Sequence, residues 1–348
     1  MSELRPFDSC GIMLSYRCQC GCRHCVYACG PRWKEWMDRE QLEGLLLGIS
    51  RTWENPRGLH LAGGEAFLNF DLLLFGVEKC RRLGLPIEYV ETNAGWCVNE
   101  EVGREKFRLL KEAGLSSVLI SVSPFHAETI PLKRTLTAIR LAEEIFGPAN
   151  VIVYMSQFIE LIARFDVERP VPLSRWIEAY GPEGAGRLFW QGYALIPGGR
   201  AGIELGDLAS QRHPAEAFKG HHCRQEILLS RHCHFDPYEN YIPLFCGGLS
   251  LGKIDRDLPG FVARFRSEDL PLVNILVREG PYGLVRFAAE NFGFRPNPRG
   301  YAGKCHLCVE VRRFLNEKGE FPELTPRAFY ENLRSHLPPL KIGGGHAP

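Results

Sequence analysis

Cysteine is the most reactive residue type in this sequence, and its thirteen copies fall mainly in two clusters. Six lie within residues 10–29 and five within residues 223–308, whereas Cys80 and Cys97 stand apart and are interpreted as small buried hydrophobes. Because the N-terminal residues have no apolar core of a secretory signal, metal ligation or redox chemistry is favoured over disulfides. The two clusters therefore predict two metal sites.

The first cluster contains a C-x3-C-x2-C array, formed by Cys18, Cys22 and Cys25, directly after an apolar run. Three thiolates at this spacing can bind three irons of a cubane iron–sulfur cluster, which leaves the fourth iron open for chemistry. A tetrahedral zinc loop is the alternative. Its fourth ligand would be Cys20, His24 or Cys29.

The elements that must position these cysteines alternate as strand and helix, at about thirty residues per unit, which predicts a parallel sheet. Six units predict an α/β fold, a partial (β/α)6 TIM-type barrel followed by a smaller cysteine-rich C-terminal extension, with ligands at the carboxyl ends of the strands. The predicted strands are residues 11–16, 59–62, 87–92, 118–122, 151–155 and 188–193. The predicted helices of this part are residues 38–53, 70–83, 100–113 and 134–146.

Residues suited to ligand binding follow these predicted strands. In the Gly63-Gly64-Glu65 motif, the glycines permit close approach to the backbone and the carboxylate suits an ammonium group. Glu91, Asn93 and Ser121 add hydrogen-bonding groups suited to ribose hydroxyls. A turn or helix-capping role is the alternative for each of them.

With these motifs in this order, residues 7–201 closely resemble the radical S-adenosylmethionine (radical SAM) enzymes. The resemblance implies a [4Fe-4S] cluster bound by Cys18, Cys22 and Cys25, whose fourth iron binds the amino and carboxylate groups of SAM. It also implies a site for the rest of SAM, with the methionine amine held at Gly63, Gly64 and Glu65 and the ribose region near Glu91 and Asn93. Residues 197–201 resemble a Pro-x-Gly-Arg-Ala loop of members with C-terminal extensions. The chain departs from the family in having His24 where many members have an aromatic residue, and in the additional Cys20.

In the second cluster, Cys223 and Cys246 flank a predicted hairpin with its turn at residues 236–240, and Cys305-x2-Cys308 follows. This arrangement resembles the SPASM or twitch auxiliary domains of radical SAM enzymes, although Glu239 stands where glycine is expected. The resemblance implies an auxiliary [4Fe-4S] cluster on these four cysteines. A zinc site is the alternative, since C-x-x-C pairs are common in zinc ribbons.

The predicted organisation is a barrel domain over residues 1–205, an auxiliary domain over 206–335 and a disordered tail over 336–348. The resemblance implies an enzyme of anaerobic chemistry that takes electrons from a flavodoxin or ferredoxin and cleaves SAM reductively to a 5′-deoxyadenosyl radical. A peptide or protein side chain is the favoured substrate, for oxidation or cross-linking. Oxidation, dehydration or epimerisation of a small molecule is the alternative within the class. Two alternatives outside this enzyme class are an iron–sulfur electron carrier and a zinc-stabilised binding module without catalysis.

Composition bears on the partners. The formal net charge of +1 argues against a nucleic-acid partner, which would need a basic surface. No apolar run is long enough to span a membrane, and a cytoplasmic location is expected.

No catalytic base is identified, and the roles of Cys20, Cys29 and Cys233 are open. Candidate substrate contacts are Phe125, His126, Tyr154 and Gln191. We predict that the five histidines within residues 213–234 are exposed residues rather than metal ligands. We also predict a solvated face at Lys304, Arg312 and Arg313.

Overall fold

Seven strands form one sheet at the centre of the computed structural model, which describes residues 3–52, 57–254 and 257–340. Their order is β5-β4-β3-β2-β1-β6-β7, and neighbouring strands are parallel except for the antiparallel pair β6 and β7. The strands are β1 (Ser9–Met13), β2 (Gly58–Ala62), β3 (Ile87–Thr92), β4 (Val118–Ser121), β5 (Val151–Tyr154), β6 (His232–Phe235) and β7 (Tyr241–Pro243). The predicted α/β class with a parallel sheet is confirmed.

Helices connect the parallel strands, as βα units require. The first part of the chain contains α1 (Arg39–Thr52), α2 (Phe70–Leu83), α3 (Glu100–Ala113), α4 (Pro124–Ala127), α5 (Leu132–Phe146), α6 (Phe158–Ala163), α7 (Leu173–Arg187) and α8 (Gly199–Leu205). The later part contains α9 (Arg224–Ile227), α10 (Leu258–Arg264), α11 (Pro271–Phe292), α12 (Lys304–Lys318) and α13 (Arg327–Glu331). The predicted helices match α1, α2, α3 and α5 to within two residues among those described.

The amphipathic helices lie against the sheet because one face of each is apolar. In α1, Leu42, Leu46 and Ile49 recur at helical spacing and are fully buried. The helix begins after Asp38, whose carboxylate accepts from the Gln41 amide at 2.8 Å while the Gln41 side chain accepts from the Asp38 amide at 2.9 Å. This reciprocal capping fixes the point at which the chain leaves the cysteine loop and enters the helix.

The predicted sixth strand at residues 188–193 is wrong. This segment continues α7 as a π-helical turn, Leu188–Gly192, in which Phe189 is buried with its ring 5.3 Å from that of Phe125. A short apolar run fits a buried helical turn as well as a strand, so its pattern alone does not separate the two. The sixth parallel strand is instead β6, and it pairs with β1 rather than with β5.

The predicted hairpin with its turn at residues 236–240 is confirmed, since Phe235 pairs with Tyr241 across the turn. Its first strand also joins the central sheet, so hydrogen bonds cross the domain boundary predicted near residue 205, which stays a prediction. The predicted tail is partly described: the Pro338 carbonyl accepts from the Arg23 guanidinium at 2.6 Å. Residues 341–348 of that tail lie outside the described residues. Among the described helices, none is both long and apolar enough to cross a membrane.

Candidate cluster and S-adenosylmethionine site

The loop that follows β1 carries Cys18, Cys22 and Cys25, and all three line one cavity. Cys18 and Cys22 are buried and Cys25 is half-buried. The base of the loop is closed by backbone hydrogen bonds from the Gly30 amide to the Tyr16 carbonyl at 3.0 Å and from the Cys18 amide to the Gly30 carbonyl at 3.2 Å. The loop therefore presents three sulfurs to one space without any disulfide among them.

Gly63 and Gly64 support this loop from the end of β2. The Gly64 amide donates to the Ser15 carbonyl at 2.7 Å, and the next amide donates to the Arg17 carbonyl at 2.9 Å. A Cβ on Gly64 would lie 2.1 Å from the Arg17 carbonyl oxygen, and one on Gly63 would lie 2.5 Å from that of Ser15. Only glycine permits this approach, so the motif fixes the position of the cysteine loop.

Glu65 faces the protein rather than the cavity that Gly63 and Gly64 line. Its carboxylate accepts hydrogen bonds from the Thr92 hydroxyl at 2.9 and 3.0 Å, from the Asn93 amide at 2.8 Å and from the Phe67 amide at 3.1 Å. Burial raises the pKa of Glu65 to about 7, against these hydrogen bonds. Its carboxylate thus ties the end of β2 to the end of β3.

Asn93 contacts the cysteines directly. Its side-chain Nδ2 donates to the Cys18 sulfur at 3.4 Å, and its Oδ1 accepts from the Gln19 side chain at 2.7 Å and from the Gly95 amide at 2.9 Å. The two accepted hydrogen bonds fix the amide so that its NH₂ group faces the sulfur. A donor to a ligating sulfur is one means by which proteins tune iron–sulfur clusters.

Two of the three sulfurs are poised as thiolates, which is the form that binds metal. A hydrogen bond from Cys29, helped by the positive charge of Arg200, lowers the pKa of Cys25 to about 6 despite burial. A hydrogen bond from Cys20 holds the pKa of Cys22 well below its usual range. Cys20 and Cys29 thus favour the thiolate forms of Cys22 and Cys25.

Arg200, in the 197–201 loop, holds the other side of the array. Its side chain is 2% exposed, and it donates to the carbonyl oxygens of Cys22 at 3.2 Å and Cys29 at 2.7 Å. It also donates to the carbonyls of Ala28 and Asn332, at 2.8 and 2.9 Å. One buried guanidinium therefore joins the cysteine loop, the end of the barrel segment and the C-terminal segment.

The cavity of about 550 Å³ opens where the carboxyl ends of the parallel strands meet. Its volume is in the range of clefts that hold a small ligand or cofactor. Glu91 and Ser121 line it, and burial raises the pKa of Glu91. Predicted residues outside the lining are Glu65, Phe125 and Gln191, while Tyr154 and His126 belong to it. Sequence reasoning missed the lining residues Tyr193 to Ile196, which lie at and just beyond the end of the strand predicted at residues 188–193.

His24 occupies the position where an aromatic residue was expected, and it packs as one. Its ring stacks on Phe125 at 4.6 Å and meets the ring of Tyr193 edge-on at 5.1 Å. His126 is held by the Ser123 hydroxyl, 2.8 Å from its Nδ1. Burial acts to lower the pKa of His126, but the neighbouring Cys22 raises it above its usual value. His24 therefore makes ring contacts beside the cysteine array, as the expected aromatic residue would.

The second set of cysteines also converges. Cys305 and Cys308 lie one turn apart on α12, Cys223 precedes α9 and Cys246 follows β7. Burial and the proximity of Cys308 together raise the pKa of Cys305 to about 11. Burial and the same neighbour raise the pKa of Cys223.

Arg312 and Lys304, predicted to lie on a solvated face, belong to this second site instead. Arg312 is 4% exposed and donates to the Gly247 carbonyl at 2.9 Å and the Tyr330 hydroxyl at 3.1 Å. Burial would lower the pKa of Arg312, but Tyr330 and the sulfurs of Cys308 and Cys246 raise it. Lys304 pairs with Glu226. Their positive charges offset the negative charge of thiolates gathered in a buried site.

The surface prediction is also wrong for His232 and His234. These residues point inward from β6, and their ligand atoms lie within 4.8 Å of each other and of that of His60 on β2. Burial lowers the pKa of His60 to about 3 and that of His232 to about 4. The three rings line the same cavity as the cysteine array.

Comparisons with known proteins can be set beside this geometry. No protein-family model matches the sequence, and a comparison with curated proteins gives no match. Among solved structures, the chain is similar to BtrN in complex with AdoMet and 2-DOIA, with 11% identity, a TM-score of 0.38 and coverage of 76% of this chain and 90% of that one. It is similar to Streptococcus suis SuiB bound to S-adenosylmethionine, with 14% identity, a TM-score of 0.40 and coverage of 70% and 61%. It is also similar to polyhistidine-tagged anSMEcpe with bound AdoMet, with 15% identity, a TM-score of 0.41 and coverage of 95% and 100%.

All three of these structures hold S-adenosylmethionine. Their TM-scores all lie below 0.5.

Proposed function

We propose that this chain is a radical SAM enzyme with an auxiliary cluster. The observation that carries the proposal is the convergence of the three array sulfurs with Gly63, Gly64, Glu91 and Ser121 on one cavity at the carboxyl ends of the strands. Bound there, a [4Fe-4S] cluster and SAM would supply reductive cleavage of the sulfonium and a 5′-deoxyadenosyl radical that takes a hydrogen atom from a substrate.

The residues present fit these groups. Cys18, Cys22 and Cys25 supply the three thiolates, and Asn93 donates to the first of them. The backbone at Gly63 and Gly64 is open to a ligand, whereas the Glu65 carboxylate acts through its hydrogen bonds to the end of β3. Glu91 and Ser121 offer polar atoms inside the cavity for the ribose.

The second site fits an auxiliary [4Fe-4S] cluster on Cys223, Cys246, Cys305 and Cys308. The neighbouring buried Arg312 balances the charge of the thiolates. Flavodoxin or ferredoxin is the proposed electron donor.

A peptide or protein side chain is the proposed substrate. Three large apolar side chains of the cavity lining are exposed at its rim, Tyr154 at 42%, Ile196 at 36% and Phe245 at 43%. Tyr154 also ends β5, which is an edge strand of the sheet. An exposed apolar rim beside a sheet edge suits an extended peptide better than a small polar metabolite.

The class is tested on protein reconstituted with iron and sulfide in the absence of oxygen. With SAM and dithionite, the protein should form 5′-deoxyadenosine and contain about eight irons per chain, as two cubanes require. The Cys22→Ala variant should lose 5′-deoxyadenosine formation and keep about four irons. A fully loaded protein that neither binds nor cleaves SAM would instead be an electron carrier.

The substrate class is tested with deuterated fractions of a cell extract, one of peptides and one of small molecules. Hydrogen abstraction transfers deuterium to 5′-deoxyadenosine, which mass spectrometry detects without knowledge of the product. Transfer from the peptide fraction supports the proposal, while transfer from the small-molecule fraction alone favours the alternative within the class.

A further inference from the structure

A row of inward-facing residues crosses three strands below the cysteine array. The register pairs Gly11 of β1 with His60 of β2 on one side and with His234 of β6 on the other. Because Gly11 has no side chain, both imidazoles extend over it: a Cβ there would lie 2.5 Å from His60 Nε2 and 2.7 Å from His234 Nε2. Two ring nitrogens therefore face the same small space.

His232 completes a group of three. It lies two residues before His234, and alternate residues of a strand point to the same face. Its ring is nearly parallel to that of His60, with an interplanar angle of 8° and centroids 5.4 Å apart, and its centroid is 4.7 Å from that of His234. One ligand atom of each residue lies within 4.8 Å of those of the other two.

The outer nitrogens of the two β6 histidines have partners. His234 Nδ1 lies 2.9 Å from both the Leu244 carbonyl and the Tyr27 hydroxyl. In the tautomer that donates from Nδ1 to the carbonyl, Nε2 has the free lone pair. His232 Nδ1 lies 2.7 Å from the Ser9 hydroxyl. Metal-binding histidines are oriented in this way by a hydrogen bond at the other ring nitrogen.

His60 is the third member of the group. Its side chain is 6% exposed, and its ring stacks on Tyr89 at 5.1 Å, which orients its plane. Its Nε2 faces the space over Gly11, and no hydrogen bond to its ring is found among the described residues. This nitrogen is therefore available to a ligand in that space.

We propose that His60, His232 and His234 bind one divalent first-row transition-metal ion inside the barrel. Three imidazoles are a common ligand set for such ions, and they leave at least one coordination position open. Binding needs the nitrogens to approach to about 3.4 Å, as metal–nitrogen distances of about 2.1 Å require.

The three histidines border the cavity that contains the cysteine array, so the open position faces the reactants. The role of the ion rests on the proposed function: it would hold a donor atom of the substrate, such as a carboxylate oxygen or a thiolate sulfur. None of the residues assigned to the clusters or to SAM takes part in this site.

The test uses the cluster-loaded protein, so that the cysteines are occupied. The protein is incubated with one equivalent of Zn²⁺ without oxygen, freed of loosely bound metal and analysed for zinc. Zinc should be retained at one ion per chain, and its X-ray absorption should show nitrogen or oxygen neighbours at about 2.0 Å without sulfur at about 2.3 Å. Zn²⁺ suits this test because its affinity for nitrogen sites exceeds that of Fe²⁺ in general.

The variants His60→Asn and His234→Asn should lose the zinc, while His222→Asn, which changes an exposed histidine of the same segment, should retain it. The iron content of each variant serves as the check that it has folded. Absence of bound zinc in the wild type, zinc bound by sulfur, or zinc unchanged in His60→Asn would each overturn the proposal. Zinc content is independent of SAM cleavage, so failure of this site and failure of the proposed function are distinguishable.

Discussion

The side-chain amide of Asn93 donates a hydrogen bond to the sulfur of Cys18 at 3.4 Å, although 75 residues separate the two in sequence. The amide cannot turn away, because its oxygen is held by Gln19 and by the Gly95 amide. The end of β3 therefore acts on the cysteine loop itself, and not only on the cavity beside it.

The Asn93→Asp change should alter the cluster without removing it, because the carboxylate keeps the size of the side chain but has no N–H for the sulfur. Loss of a donor and addition of negative charge both disfavour the reduced cluster, so the reduction potential should fall. The rate of 5′-deoxyadenosine formation should fall by about 10- to 100-fold, the usual range for residues that support a metal ligand. A redox titration followed by electron paramagnetic resonance measures the potential. An unchanged potential would mean that this hydrogen bond has no electronic role.

The Gly64→Ala change should displace the cysteine loop, because the new Cβ would lie 2.1 Å from the Arg17 carbonyl oxygen. We expect the iron content to fall from about eight to about four per chain, since the second cysteine set is unaffected. Iron analysis after anaerobic reconstitution measures the loss.

The matched control is Gly44→Ala at a half-buried position of α1, where no atom lies within 4 Å of the new Cβ. Alanine stabilises a helix interior relative to glycine by up to about 1 kcal/mol, so this variant should keep all its iron and melt at the same or a higher temperature. Equal iron contents in the two variants would contradict the supporting role of Gly64.

The Arg312→Met change tests the charge balance of the second site. Removal of a buried guanidinium leaves the thiolates of Cys246 and Cys308 uncompensated, and breaking such a buried pair costs about 3–5 kcal/mol. The variant should lose the auxiliary iron and melt at a lower temperature, while 5′-deoxyadenosine formation without substrate persists. The control, Arg313→Met, changes the adjacent, half-buried arginine and should be close to neutral. If both variants keep their iron, the guanidinium does not stabilise this site.

Much of the fold follows from the local pattern of the sequence. The helices α1, α2, α3 and α5 and the strands β2 to β5 have clear apolar patterns, so their bounds are predicted closely, whereas α6 and α7 were not predicted. The prediction of a strand at residues 188–193 is wrong because this apolar segment forms a π-helical turn. The place of β6 next to β1 depends on pairing across more than two hundred residues, which no local pattern encodes.

Some features of the candidate site also follow from the local sequence, and others depend on how distant strands meet. The cysteine spacing is local and is predicted, but the partners of the Glu65 carboxylate depend on how the ends of β2 and β3 meet. His60 and His234 meet over Gly11 only because of the strand register. One local signal was present: His232 and His234 alternate along a strand and therefore share one face.

The stability of the cysteine loop should depend on pH through Glu128. Arg23 of the loop pairs with both Glu128 at 3.1 Å and Glu204 at 2.8 Å, so two buried carboxylates share one guanidinium. Burial raises the pKa of Glu128 from 4.5 to about 7, and the Arg23 charge only partly offsets it.

Between pH 4.5 and about 7 the unfolded chain releases the Glu128 proton while the folded chain keeps it. Stability from this group is therefore present at low pH and is lost as the pH rises through about 7. In Glu128→Gln the side chain cannot ionise, so the melting temperature of the wild type minus that of the variant should decline from about pH 5.5 to about pH 8.5. The corresponding change in free energy is at most about 3 kcal/mol. Calorimetry on both proteins without oxygen measures this difference, and the subtraction removes the titration of Glu65 and other shared groups. A difference that grows with pH would mean that Arg23 holds the Glu128 carboxylate charged and its pKa low.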